Sequence, residues 1–262
     1  MDLGIQQKVF LITGGAKGIG RAIAHTLVAE QAIPVIMDKD DKAGMLLMQE
    51  LKEAGGHSIF LKTDLTEFDQ CMDGVNLTVK HFGRLDGLLN NAGINDNIGL
   101  EHGNPEAFEM SLQKNLMHYY NMAYLCLPHL KASKGTILNT SSKTAITGQG
   151  GTSGYVCAKA GILGLTRDWA AELLKYSIRV NALVPAEVWT PLYEWWVGTF
   201  PDPQAKKELI ASQIPFEKRF TTPQEIADMA VFLLSPRASH ITGQHVFVDG
   251  GYTHLDRALT QS

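Results

Sequence analysis

Short apolar runs, several rich in β-branched residues, alternate along the chain with longer stretches whose apolar residues recur every three or four positions. The first run is Lys8-Val9-Phe10-Leu11-Ile12 and the second is Ile33-Pro34-Val35-Ile36-Met37. Similar runs cover residues 57–62, 85–89, 136–139, 178–184 and 245–248. Runs of this length and composition read as buried strands. Stretches at 21–28, 106–130 and 155–174 keep the helical period. The alternation predicts an α/β chain: a Rossmann-type, doubly wound, seven-stranded parallel sheet with helices on both faces. Sheets of that kind bind ligands at the C-terminal ends of their strands. Here those ends run into Thr13-Gly14-Gly15, Asp38, Asp64, Asn90-Asn91-Ala92-Gly93, Thr140-Ser141-Ser142, Pro185 and Asp249-Gly250-Gly251.

Residues 186–215 interrupt the pattern. They lie between the sixth strand and the next helix and are rich in aromatics and prolines. An excursion that long in a compact domain is usually functional, often as a lid. No internal repeat, low-complexity tract or inter-domain linker stands out elsewhere. Residues 1–262 are therefore expected to form one domain, with 186–215 as its substrate lid.

Composition narrows the class. With 45% apolar residues, 262 residues suffice for one sizeable core. A net charge of −4 leaves no basic footprint for nucleic acid. No apolar stretch is long enough to cross a bilayer, and no charged-then-apolar leader opens the chain. Cys71, Cys126 and Cys157 are odd in number and widely spaced, which fits reduced thiols and neither a disulfide framework nor a metal site. The expectation is a cytoplasmic protein with a small-molecule substrate, no metal, and neither nucleic acid nor membrane as partner.

Candidate chemistry begins at the first strand, which runs straight into Thr13-Gly14-Gly15-Ala16-Lys17-Gly18-Ile19-Gly20 and then a helix. Strand, glycine turn and helix together are the context of a dinucleotide site. Glycines permit a tight turn and let a pyrophosphate approach the helix N-terminus, where unpaired N–H groups point outward. The spacing is T-G-x-x-x-G-x-G rather than the commoner G-x-G-x-x-G. Asp38 ends the second strand about 20 residues on, where a carboxylate accepts hydrogen bonds from ribose hydroxyls. That carboxylate would repel a 2′-phosphate, whereas Lys17 and Lys39 pull toward NADP. Asp38, at the strand end where the ribose must lie, favours NAD.

Tyr155 and Lys159 are four residues apart, on one face of a predicted helix. An ammonium beside a phenol favours the phenolate. Bringing tyrosine from about pH 10 toward neutrality takes roughly 4 kcal/mol of preferential phenolate stabilisation. A phenol tuned that way takes a proton from an alcohol or returns one to a carbonyl. Asn115 sits in a helical pattern where asparagine is mildly unfavourable. Ser141 and Ser142 are equivalent on chemistry alone, and either could simply cap a turn. Asp64 has a capping reading too, at Leu65-Thr66-Glu67, and Asn181, within a strand, reads as structural.

Taken in order, Thr13-Gly14-x-x-x-Gly18-x-Gly20, Asp64, Asn90-Asn91-Ala92-Gly93, Asn115, Ser142, Tyr155-x-x-x-Lys159, Arg179-Val180-Asn181 and Thr190 resemble the short-chain dehydrogenases/reductases of the single-domain branch, over nearly the whole chain. The resemblance implies that Tyr155 is the catalytic acid/base and that Ser142 hydrogen-bonds the substrate oxygen. It implies that Lys159 binds the nicotinamide ribose and lowers the Tyr155 pKa, and that Asn115 holds a water linking Lys159 to solvent. It places Gly14, Lys17, Gly18, Ile19, Gly20 and Asp38 around the adenosine and phosphates, Asp64 and Leu65 at the adenine, Asn91 and Gly93 along the cofactor, and Val188 and Thr190 at the carboxamide. It also implies a homotetramer built through the helices that hold Asn115 and Tyr155, with the tail after Gly251, including Arg257, a candidate to reach a neighbouring pocket. One departure is Pro185-Ala186, where the family usually has Pro-Gly; a Cβ there would crowd a backbone of positive φ.

The excursion carries Glu187-Val188-Trp189-Thr190-Pro191-Leu192-Tyr193-Glu194-Trp195-Trp196, then Phe200-Pro201-Asp202-Pro203. These pieces resemble the L-fucose dehydrogenase and 17β-hydroxysteroid dehydrogenase type 14 group. Trp189, Tyr193 and Trp196 suit the C–H faces of a pyranose, and Glu187, Gln149, Asn95 and Asp96 suit its hydroxyls. The tryptophans equally suit a hydrophobic lid. An apolar steroid would make Glu187 an awkward neighbour, because an unpaired buried carboxylate is costly. The expected activity is therefore NAD-dependent oxidation of a hydroxyl-bearing carbon, at C1 of an aldose such as L-fucose. The alternatives are an NAD(P)-dependent carbonyl reductase of the 3-oxoacyl or hydroxysteroid type and, more remotely, a non-catalytic nucleotide sensor.

Overall fold

A computed structural model describes residues 2–256. Arg257, the end of the tail considered above, lies outside the described residues. Seven parallel strands form one sheet in the order β3-β2-β1-β4-β5-β6-β7. They are β1 (Val9–Thr13), β2 (Ile33–Asp38), β3 (Ile59–Lys62), β4 (Gly87–Asn90), β5 (Thr136–Thr140), β6 (Arg179–Pro185) and β7 (His245–Val248). The strand order reverses between β1 and β4, the switch point at which doubly wound sheets open a crevice.

Alternate side chains of each strand enter different cores. Phe10 and Ile12 pack with Ile23 and Leu27 of α1 (Gly18–Ala29), Leu47 and Leu51 of α2 (Asp41–Glu53), and a later helix, α9 (Pro223–Leu234). Val9 and Leu11 face the other core, with Val75 of α3 (Phe68–Phe82), Met122 and Cys126 of α5 (His118–Ser133), and Trp169 of α6 (Ser153–Leu173). Because both faces are covered, the strands read as continuous apolar runs.

Two predicted elements differ from the structure. The single helix at 106–130 is α4 (Pro105–Leu112), a π-helical turn (Gln113–Met117) and α5, with Asn115 in the π turn. Such turns often occur at functional sites. The excursion at 186–215 is largely helical, as α7 (Pro191–Val197) and α8 (Pro203–Ser212). Two of its prolines are helix starters. Pro191 and Pro203 occupy first-turn positions, where the missing N–H is unneeded, behind Thr190 and Asp202, whose side chains accept from Tyr193 N and Ala205 N. Ala186 is not among the described non-glycine residues with positive φ, so its Cβ meets no backbone penalty of the kind expected.

Asn181 is structural, as its sequence position predicts. Its Nδ2 donates to Ile241 O (2.8 Å) and its Oδ1 accepts from Gln244 N (3.0 Å). Among the described residues, no helix is long and apolar enough to cross a membrane, and Cys71, Cys126 and Cys157 are unpaired.

Candidate active site

A groove of about 510 Å³ runs along the C-terminal strand ends, within the size range of small-molecule sites. At one end, Gly14 and Gly18 have φ of +62° and +55°. A Cβ on Gly14 would stand 2.8 Å from Ala92 Cα. Asn91 locks this turn to β4, its Nδ2 donating to Thr13 O (3.2 Å) and Gly14 O (2.9 Å). Gly20 does not line the groove; a Cβ there would strike Gly14, Gly15 and the Asn91 amide. Its role is close packing beneath the turn. Helix α1 begins with no side-chain cap and no acidic residue in its first turn, so its N–H groups remain available to an anion.

Asp38, Lys39, Asp64 and Leu65 line the adjoining wall. Asp38 Oδ2 accepts from Ala16 N (3.1 Å) and Oδ1 from Asp40 N (3.0 Å), which aims the carboxylate at the glycine turn. Lys17 also lines the groove, but its ammonium is paired with Asp40. Asp64 accepts from the Thr66 hydroxyl (2.7 Å) and N–H (3.0 Å). Those bonds hold its carboxyl below the usual range and cap the turn at 64–67 within the groove wall; the helix that follows, α3, has Glu67 at its N-cap, so Asp64 does not cap it. Glycine turn, uncapped helix and ribose-height carboxylate fit a nicotinamide dinucleotide.

Ser142, Tyr155, Lys159 and Gly93 line the middle of the groove. Burial pushes the Tyr155 phenol up to about 12, against a hydrogen bond with Ser142 that pulls it down. Lys159 is almost wholly buried, and desolvation brings its ammonium down to about 7. Its Nζ donates to Thr140 O (2.8 Å) and Tyr119 Oη (3.2 Å), and lies 5.5 Å from the Tyr155 ring centroid. This corrects the expected depression of Tyr155. The cation is turned toward Tyr119 and Thr140 and is itself marginally charged near neutrality, so desolvation dominates. Ser141 is excluded as the substrate-facing serine by its own bond, Oγ to Lys159 O (2.7 Å).

Asn115 is fully buried and does not line the groove. Its Oδ1 accepts from Ile94 N (2.7 Å) and its Nδ2 donates to Ser111 O (3.0 Å). The side chain thus braces the Gly93-Ile94 segment, and a Cβ on Gly93 would lie 3.1 Å from both Asn115 Oδ1 and Lys159 Nζ.

Val188, Thr190, Leu192 and Tyr193 line the opposite wall. A Cβ on Gly18 would be 3.4 Å from Thr190 Cγ2, so the start of α7 lies directly across from the glycine turn. Of the other predicted substrate residues, Gln149 is exposed, and Trp189, Trp196 and Glu187 stand outside the groove lining. Trp189 packs on Phe220 (4.9 Å) and Trp196 on Tyr193 and Phe200 (5.3 and 5.1 Å), in an aromatic cluster around α7. Asp96 accepts from Ser111 Oγ, of α4, and Asn95 from Asn97 N within its own turn. Glu187 is not an unpaired carboxylate. Lys143 Nζ pairs with its Oε1, and Tyr193 Oη donates to its Oε2 (2.6 Å), both ionic side chains being 11% exposed. The Lys143 ammonium also lies 3.8 Å from the Tyr252 ring centroid.

Residues 14–253 match the family described as enoyl-(acyl carrier protein) reductase. The chain is 37% identical over 245 residues to L-fucose dehydrogenase of Oryctolagus cuniculus, covering 93% of this chain and 84% of that protein. It is 35% identical to a 3-oxoacyl-[acyl-carrier-protein] reductase of Thermotoga maritima, over 94% of this chain and 98% of the other. A crystal structure of Cj0485 dehydrogenase superposes with a TM-score of 0.96 at 48% identity, covering all of both chains. The chain is a short-chain dehydrogenase/reductase. As a member of that family it is an oxidoreductase acting on CH–OH groups with a nicotinamide cofactor.

Three residues of this dehydrogenase/reductase escaped sequence reasoning. Lys143 directly follows Ser142, and that adjacency was the available signal. His118 and Tyr119 follow Asn115 by three and four positions, one helical turn, and reach the groove and Lys159 respectively. Burial, with Lys159 nearby, pushes His118 down to about 4.

Proposed function

We propose that the enzyme uses NAD to oxidise a secondary or hemiacetal hydroxyl, at C1 of an aldose resembling L-fucose, to give a lactone. The observation carrying the cofactor assignment is Asp38, oriented by Ala16 and Asp40 at the ribose-height wall while Asp40 occupies the neighbouring Lys17. A 2′-phosphate there would meet a fixed carboxylate without a free lysine from the glycine turn. The sugar assignment draws on similarity to the rabbit L-fucose dehydrogenase.

Gly14, Gly18 and the α1 N-terminus would hold the pyrophosphate, Asp38 a ribose, and Val188 and Thr190 the carboxamide. Bound nicotinamide supplies the hydride acceptor. Tyr155, as phenolate, takes the hydroxyl proton, and Ser142 Oγ–H holds the oxygen as it becomes a carbonyl. Lys159 has one donor beyond the two used on Thr140 O and Tyr119 Oη, free to meet a ribose hydroxyl. In reduction Tyr155 returns the proton.

A carbonyl reductase of the 3-oxoacyl or hydroxysteroid type is the second reading. Lys143 and Tyr193 satisfy Glu187, which removes the penalty for an apolar ligand nearby. Rates of nicotinamide reduction and oxidation with sugars, steroids, simple alcohols and ketones, using NAD and NADP, separate the two. Sugar oxidation with NAD is expected; ketone reduction with a preference for NADPH would replace this reading by the second.

The same proposal includes a homotetramer in the cytoplasm. Met110, Met117, Tyr120 and Tyr124 expose 51%, 41%, 52% and 62% of their surfaces on α4, the π turn and α5, an apolar stripe of the kind that marks association. On neighbouring α6, a Cβ on Gly164 would meet nothing within 4 Å.

A further inference from the structure

Tyr119 is fully buried and among the largest side chains sealed from solvent. A phenylalanine would fill nearly the same volume without burying a hydroxyl, and a buried hydroxyl is costly unless both its capacities are used. Here both are used, on atoms at the catalytic centre. The O–H donates to Thr140 O (2.9 Å), which fixes the rotor and turns the oxygen lone pairs away from that carbonyl. Lys159 Nζ donates to that oxygen (3.2 Å) and also to Thr140 O (2.8 Å). Phenol, carbonyl and ammonium therefore form a closed triangle against the end of β5. An ammonium on a four-carbon stem is otherwise a mobile point charge. Two anchors fix its position and leave it one donor for the groove.

We propose that Tyr119 is a positioning residue of the active site, whose phenol oxygen anchors the Lys159 ammonium and so aims its one remaining donor at the dinucleotide ribose. This rests on Lys159 and Tyr155 being the catalytic pair. The titratable groups around Lys159 are Tyr119 and His118 from α5 and Tyr155 from its own helix. Removing one anchor therefore changes how the ammonium is shared between two phenols, without adding a charge.

The test is Tyr119→Phe in the full chain, with Tyr119→Met as a second side chain lacking the oxygen and Tyr124→Phe, on the exposed face of α5, as control. NADH affinity is read by fluorescence titration, folding by thermal melting, and the pH profile of kcat/KM in the oxidative direction. Tyr119→Phe is expected to melt near the parent and Tyr119→Met a few degrees lower; both should bind NADH about tenfold more weakly, the scale of one hydrogen bond to a charged group, and move the alkaline rise to lower pH, because the ammonium released from Tyr119 turns toward Tyr155. Tyr124→Phe should match the parent. Parent-like NADH affinity and pH profile in the folded variants would overturn the proposal, as would a lowered melting point with neither readout moved. Failure of the underlying reading shows differently: the parent itself would not bind NADH, or Lys159→Met would bind it as the parent does.

Discussion

At the catalytic centre, burial outweighs the charge pairing that the Tyr155/Lys159 spacing suggests. The phenol lies near 12 and the ammonium near 7, both moved toward their neutral forms by desolvation. The sign for catalysis follows. Oxidation needs the deprotonated phenol, so its kcat/KM should climb with pH from 7 to 10, by up to about tenfold per unit. Reduction needs the protonated phenol and should stay flat over that range. Steady-state rates in both directions check this, and an oxidative profile that is flat or falling contradicts it. Residue types and spacings singled out Tyr155, Lys159, Ser142 and Asp38 as candidates, and the structure brings all four into one groove. Their partners were not legible. Tyr119 looks like one more apolar position on a helix, and the hydroxyl that distinguishes it matters only because β5 delivers Thr140 O beside it.

At the scale of elements, the strand ends were legible because each apolar run stops at a polar or glycine residue. The helices within 186–215 were not, because Pro191 and Pro203 read as interruptions when they begin α7 and α8. Nor was the ion pair that docks α7. Lys143 and Glu187 are 44 residues apart and meet only once β6 and the turn after β5 are placed side by side. Lys143 follows Ser142, while Glu187 holds Tyr193 of α7, so the pair ties α7 to the turn that carries Ser142. Lys143→Met leaves Glu187 buried without its cation, at a cost of about 3 kcal/mol. The expected outcome is a melting point lower by several degrees and a raised KM for the alcohol. The Lys143→Met/Glu187→Leu pair should recover stability but not KM. A double variant with parent KM would show that the pair serves stability alone.

For the whole molecule, the sheet, its switch point and the groove follow from strand order, and the proposed tetramer follows from the apolar stripe along α4 and α5. Light scattering should give four times the 28.7 kDa chain mass, and Tyr120→Glu/Tyr124→Glu should lower it; a monomeric parent contradicts the assembly. The account as a whole depends on Tyr155 exchanging the substrate proton beside a bound dinucleotide. The most direct test is the initial rate of NAD reduction with L-fucose, for the parent and for Tyr155→Phe, with NAD binding confirmed in both. The account predicts turnover by the parent and a loss of at least about a hundredfold in the variant, the scale of one general base. Undiminished turnover by Tyr155→Phe would contradict it.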